Sequence, residues 1–153
     1  MDTFGQPRPN GRTHEGEDIF APMGSALIAV CDGKISRASN AYGGPNALAL
    51  YPSNPSGKDE HWYYAHGSSI VGEVPRKVIA GELIGTLGVM GNAKGTNPHL
   101  HFGYYRAGIA FNPNPALDRA SRVSPKSPSI GGAGFFIGAA IGIGIIAYLA
   151  GSK

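Results

Sequence analysis

At 153 residues, with 42% hydrophobic and 15% charged side chains, the chain is long enough for one domain with its own core. Twenty-four glycines and 12 prolines occur without any G-x-y period and beside an ordinary apolar fraction, which excludes collagen-like and disordered classes. The net charge of +3 is mild and no basic run carries interleaved aromatics, so nucleic acid is not an expected partner.

Residues 1–25 are polar and broken by Pro and Gly, so no signal peptide is expected. Within them, His14-Glu15-Gly16-Glu17-Asp18 sets a histidine and an aspartate four apart around a glycine. That predicts a bent segment rather than a helix. Short apolar or aromatic runs between Gly, Pro and Asn predict strands at 26–30, 33–39, 47–51, 60–66, 78–83 and 99–105. No long amphipathic helix is expected before residue 125, so the domain reads as mainly β. Cys31 is the single cysteine, which excludes an intrachain disulfide, and its place at the end of an apolar run predicts a small core residue.

The histidines carry the chemistry. Four of the five fall in three clusters: His14 with Asp18, His66 in Tyr64-Ala65-His66, and His99-Leu100-His101. Residues two apart on a strand share a face, so His99 and His101 are expected together, with Leu100 and Phe102 turned to the core. By the same rule Tyr64 and His66 are expected to share a face. The clusters supply three ligands for a divalent metal and two imidazoles to spare, and a catalytic zinc takes three such ligands and leaves one position open for water. His61 is left over and is expected to be structural or groove-lining. A helical H-E-x-x-H site is absent, because Asp18 and Gly16 break it, and no glutamate follows H-x-H as a cupin barrel wants.

These residues resemble the lysostaphin-type (LytM-like) zinc endopeptidases, which cut peptide bonds in bacterial peptidoglycan. The likeness covers roughly residues 4–117. It rests on H-x-x-x-D from His14 to Asp18, Y-A-H at Tyr64-Ala65-His66, and H-L-H-F from His99 to Phe102. The resemblance implies antiparallel sheets forming a groove with one zinc at its floor. It implies His14, Asp18 and His101 as the zinc ligands, and His66 and His99 as catalytic imidazoles beside them. It also implies peptidoglycan cross-link peptides as substrate. Two departures fall near the implied groove: Gly103 stands where the family often has an acidic residue, and the loop before the last motif reads Gly95-Thr96-Asn97-Pro98. In such a site zinc brings the pKa of bound water to about 7 and polarises the scissile carbonyl. A neutral imidazole takes the proton and a charged one donates to the leaving amine or stabilises the oxyanion.

The catalytic domain is expected over 1–118, followed by a Pro- and Ser-rich linker at 119–129. Residues 130–150 then run without a charge. As a helix they span about 31 Å, enough to cross a hydrocarbon core, and their many glycines would handicap a water-exposed helix. A single transmembrane helix is expected there, with lipid membrane as a partner. Gly134, Gly138 and Gly142 at four-residue spacing offer a face for self-association. Arg119, Arg122 and Lys126 precede the span and only Lys153 follows, which places the domain on the cytoplasmic side. A wall hydrolase without a leader and facing the cytoplasm is reconciled by a membrane-containing bacteriophage. Assembly would occur at the host membrane, and the hydrolase would travel in the virion's internal membrane for wall penetration. The competing contexts are a lysis endopeptidase acting at cell exit, a bacterial membrane enzyme of opposite orientation, and a non-catalytic membrane-anchored virion protein that keeps the fold.

Overall fold

A computed structural model describes residues 3–121. The predicted transmembrane segment 130–150 and most of the linker lie outside the described residues.

In chain order the strands are β1 (Pro7–Arg8), β2 (Arg12–Thr13), β3 (Gly16–Phe20), β4 (Ala26–Ile28), β5 (Gly33–Arg37) and β6 (Leu48–Pro52). They continue with β7 (His61–Tyr64), β8 (Gly67–Ile70), β9 (Arg76–Val78), β10 (Leu83–Leu87), β11 (His99–Arg106) and β12 (Ile109–Phe111). An α-helix, α1 (Asn114–Ser121), follows. Asn112 Oδ1 accepts the Asn114 backbone N–H at its start, satisfying a donor that a helix's first turn leaves unpaired.

All strand pairing is antiparallel. The main sheet runs β12-β11-β7-β6-β5-β9, and β3 pairs with β11 beside β12. A smaller sheet runs β4-β10-β8, and β1 and β2 form a hairpin. The core lies against one face of the main sheet. Ile35, Leu50, Leu100 and Phe102 are fully buried there, and the Trp62 ring stacks between Phe102 and Tyr104. Each such large apolar side chain contributes about 1.5–3 kcal/mol of transfer free energy. The opposite face of β3, β11, β7 and β6 is the floor of a cleft of about 980 Å³.

The mainly β, antiparallel expectation is met, and five of the six predicted strands are present, most of them shortened at the ends. The run 78–83 is a correction. It is a turn between β9 and β10, in which Gly81 takes φ 84° and the Glu82 carboxylate accepts the Ile79 backbone N–H. Hydrophobic Val78, Ile79 and Leu83 read as one strand because the turn carries apolar side chains. The bent segment expected around Gly16 is instead the regular strand β3, with His14 just ahead of it. β8, Gly-Ser-Ser-Ile, carries one apolar side chain, and β12 is apolar but only three residues long, too short a run to read as a strand.

Candidate metal centre and its groove

β3 and β11 pair with His101 opposite Asp18, so the two side chains leave the sheet on the same face at neighbouring positions. Alternation along β11 sends His99, His101 and Tyr105 into the cleft and Leu100, Phe102 and Tyr104 away from it. His14, in the turn before β3, joins them from above.

The three candidate ligand atoms form a small triangle. His14 Nε2 lies 2.9 Å from His101 Nδ1, His14 Nε2 lies 3.1 Å from Asp18 Oδ1, and His101 Nδ1 lies 3.2 Å from Asp18 Oδ1. A tetrahedral zinc with bonds of about 2.0–2.2 Å holds its ligand atoms ~3.3 Å apart, so this donor set fits zinc in spacing and in chemistry. The polar atoms are already partnered on their outer sides. His14 gives its Nδ1–H to the Thr3 carbonyl at 2.8 Å, which turns the Nε2 lone pair toward Asp18 and His101. Asp18 Oδ2 takes the Arg8 guanidinium at 2.8 Å, and its backbone N–H donates to the Thr3 hydroxyl oxygen at 2.9 Å.

The electrostatics agree with a cation site. Burial lowers the pKa of His14, which keeps its imidazole neutral and able to ligate. Burial alone would raise Asp18, but hydrogen bonding from His101 and the charges of His14 and His101 outweigh it and hold the carboxyl at about 2. Gly16 is required by close approach. A Cβ there would stand 2.7 Å from His101 Cε1 and 2.7 Å from the Phe102 carbonyl oxygen.

His66 and His99 meet on the open side of the triangle, with ring centroids 4.9 Å apart. Each is oriented through Nδ1–H: His66 donates to the Met90 carbonyl at 2.8 Å and His99 to the Asn97 carbonyl at 2.8 Å. Nε2 is therefore the working nitrogen of both, and that of His99 lies 4.0 Å from Asp18 Oδ1. Burial lowers His66 to about 4, so it is neutral at ordinary pH. The expected common face of Tyr64 and His66 is a correction. Tyr64 is in the core, its hydroxyl accepting the Val30 N–H, whereas His66 lines the cleft. β7 ends at Tyr64, and His66 sits at φ 68°, a left-handed backbone that costs a non-glycine residue free energy and re-aims its ring.

His61 lines the cleft away from the metal residues, stacked on Tyr105 with centroids 5.1 Å apart, in keeping with a groove-lining role. Cys31 is half-buried, and burial pushes its thiol up to about 11, in keeping with an inert small residue. The departure at Gly103 has a steric consequence. The Tyr105 ring folds back over it, with Cε2 2.6 Å from where a Cβ would stand. Tyr63 is the further aromatic of the floor. Its hydroxyl accepts a hydrogen bond from Asn40 Nδ2 at 2.8 Å, and its ring meets His101 edge-on. Thr3 and Arg8 carry no spacing signal, and only the folded chain brings them to the site, whereas Tyr63 shares a strand face with His61 two residues before it.

Comparison with known proteins agrees with this geometry. The family model for Peptidase family M23 matches residues 12–113. The glycyl-glycine endopeptidase ALE-1 of Staphylococcus capitis is 38% identical over 110 residues, covering 71% of this chain and 28% of that protein. The peptidoglycan DD-endopeptidase ShyC of Vibrio cholerae is 31% identical over 118 residues, covering 76% and 26%. The chain thus spans less than a third of the length of these curated relatives. Among solved structures, the catalytic domain of lysostaphin from Staphylococcus simulans superposes with a TM-score of 0.62 at 32% identity, covering 75% of this chain and 87% of that one. A zinc-containing peptidase from Vibrio cholerae superposes with a TM-score of 0.58 at 25% identity, covering 70% and 32%. A family match across most of the described residues, over a fold whose β3–β11 pairing assembles a zinc-fitting triangle, makes this chain a member of peptidase family M23.

Proposed function

We propose that the chain is a zinc-dependent hydrolase of peptide cross-links in bacterial peptidoglycan, anchored to a membrane by residues 130–150. The observation that carries the enzymatic part is the His14–Asp18–His101 triangle with two separately oriented imidazoles on its open side. A scaffold that had lost catalysis would have no use for that second pair. The relatives named as a glycyl-glycine endopeptidase and a peptidoglycan DD-endopeptidase support cross-link peptides as the substrate class.

When bound, zinc supplies an acidified water and a Lewis acid for the scissile carbonyl. The protein does the remaining work. Asp18, His14 and His101, which line the cleft, would hold the metal. His66, neutral and fixed by Met90, accepts a proton at Nε2. His99, fixed by Asn97, is the imidazole placed to serve the leaving amine through Nε2. The long cleft takes an extended peptide along β11 and β7, with Tyr63 and Tyr105 on its floor.

The membrane and virion reading rests on sequence. The uncharged run 130–150 and the basic residues ahead of it support a hydrolase carried in the internal membrane of a bacteriophage for entry, with glycines 134, 138 and 142 as a face for self-association. Action at host exit is the alternative context.

The test is digestion of purified peptidoglycan by the full chain in detergent, with fragments identified by mass spectrometry. The expected result is new amines without new reducing sugar ends, lost on chelation and restored by zinc. New reducing ends would make it a glycan-cleaving enzyme, and zinc binding without any cleavage would make it a non-catalytic protein of the same fold.

A further inference from the structure

We propose that Thr3 and Arg8, both outside the residues 12–113 shared with the family model, are positioning residues of the metal centre. They hold His14 and Asp18 in the one orientation that can ligate while leaving a position open. The inference rests on the reading of His14, Asp18 and His101 as the zinc ligands.

Thr3 spends all three of its backbone and side-chain polar groups here. Its carbonyl accepts the His14 Nδ1–H at 2.8 Å, and its hydroxyl oxygen accepts the Asp18 backbone N–H at 2.9 Å. Its own N–H donates to Glu17 Oε2 at 2.9 Å. Glu17 is itself buried and takes a second hydrogen bond from Asn114 Nδ2 at 3.1 Å, so the anchor for Thr3 is braced by α1. The backbone between is laced to His14 as well: Gly5 N–H donates to the His14 carbonyl at 2.8 Å, and His14 N–H to the Gln6 carbonyl at 2.9 Å.

Arg8 acts on the Asp18 carboxylate. Its Nη2 donates to Asp18 Oδ2 at 2.8 Å, while Oδ1 is the oxygen that faces His14 and His101. A carboxylate with one oxygen taken by a guanidinium ligates through the other alone. Freed of Arg8, Asp18 can rotate and present both oxygens, filling the coordination position a water needs. Arg8 is kept in place by the β1–β2 hairpin, where it pairs with Arg12. An imidazole tied at Nδ1 likewise keeps its tautomer and cannot flip. Removing such outer partners typically costs 10–100-fold in metal affinity.

Full-length Arg8→Gln, Arg8→Lys and Thr3→Val test this by three readouts: zinc affinity from chelator competition, the absorption spectrum of the cobalt-substituted protein, and thermal unfolding of the metal-free protein. Thr3→Val keeps shape and carbonyl and deletes only the hydroxyl acceptor. The expected result is zinc affinity lower by about 10–100-fold in Arg8→Gln and about tenfold in Thr3→Val. The cobalt spectrum is expected to shift, and Arg8→Lys to recover part of the loss. Unchanged affinity and spectrum in Arg8→Gln would overturn the proposal. So would a loss of metal-free stability with the cobalt spectrum intact, which would make the contacts merely structural. Should Arg8→Gln fail to fold, Arg8→Lys and Thr3→Val decide by the same criteria. No readout involves substrate, so failure to cleave peptidoglycan overturns the proposed function and leaves this inference standing.

Discussion

At the scale of single residues, the site as proposed divides into groups that hold a metal and groups that move protons, and substitutions test the division. His14→Ala or His101→Ala removes one corner of a triangle whose edges are 2.9–3.2 Å. Both variants are expected to lose bound zinc and activity together; full zinc occupancy by metal analysis in either would refute the ligand assignment. His66→Ala and His99→Ala should keep zinc and lower kcat by about a hundredfold or more, the scale of general acid–base groups. A metal-free His66→Ala protein would show the roles to be reversed. Gly16→Ala probes the same site through space alone. Its Cβ would collide with the His101 ring and the Phe102 carbonyl, so the ring must move. The expected outcome is a destabilisation of about 1–3 kcal/mol with weaker zinc binding, read by calorimetry and chelator competition.

At the scale of elements, β11 is the hinge between stability and chemistry. Its odd positions, His99, His101 and Tyr105, face the cleft, and its even positions, Leu100 and Phe102, are fully buried. Phe102→Ala should cost about 3–5 kcal/mol of unfolding free energy, measured on the metal-free protein so that zinc does not mask the loss. The far end of β11 is pinned by Glu60, which accepts the Tyr104 hydroxyl at 2.8 Å and the Ser56 hydroxyl at 2.9 Å. Burial works against the Glu60 charge, but these hydrogen bonds outweigh it and lower its pKa below 4.5. A carboxylate depressed on folding stabilises the fold above its unfolded pKa, and that stabilisation is lost as pH falls through the folded value. Melting temperature should therefore decline as pH drops below about 4.5, and Glu60→Gln should flatten that part of the decline. An identical pH profile in the variant would remove Glu60 from the account.

At the scale of the whole molecule, every candidate metal ligand and catalytic imidazole lies at or before His101, and the uncharged run begins at residue 130. Among the described residues no helix is long and apolar enough to cross a membrane, and the proposed anchoring rests on the uncharged run 130–150 alone. The full chain is expected to co-sediment with lipid vesicles, and a chain ending at residue 121 to remain in the supernatant with its zinc affinity unchanged. A full chain that stays monomeric and soluble without detergent or lipid would end the anchoring proposal, and the virion setting with it. The catalytic reading would stand, since it rests on β3 and β11.

What the sequence determined by itself was the ligand chemistry and the strand that carries most of it. Period-two alternation in His99-Leu100-His101-Phe102 assigns both faces of β11 without any tertiary information, because a strand's side chains have only two directions. The three histidine clusters likewise specify the donor types. Tertiary structure decided how they meet. Asp18 reaches His101 only through the β3–β11 register, and β3 was hidden because Gly16 and two acidic residues look like a bend. His66 was misplaced by the alternation rule because the strand ends two residues before it and the backbone turns left-handed. Thr3 and Arg8 were invisible for the same underlying reason. Hydrogen bonds to a ligand's outer atoms are made across space, here by a backbone carbonyl, a hydroxyl and a guanidinium, and none of these leaves a periodic trace in the chain.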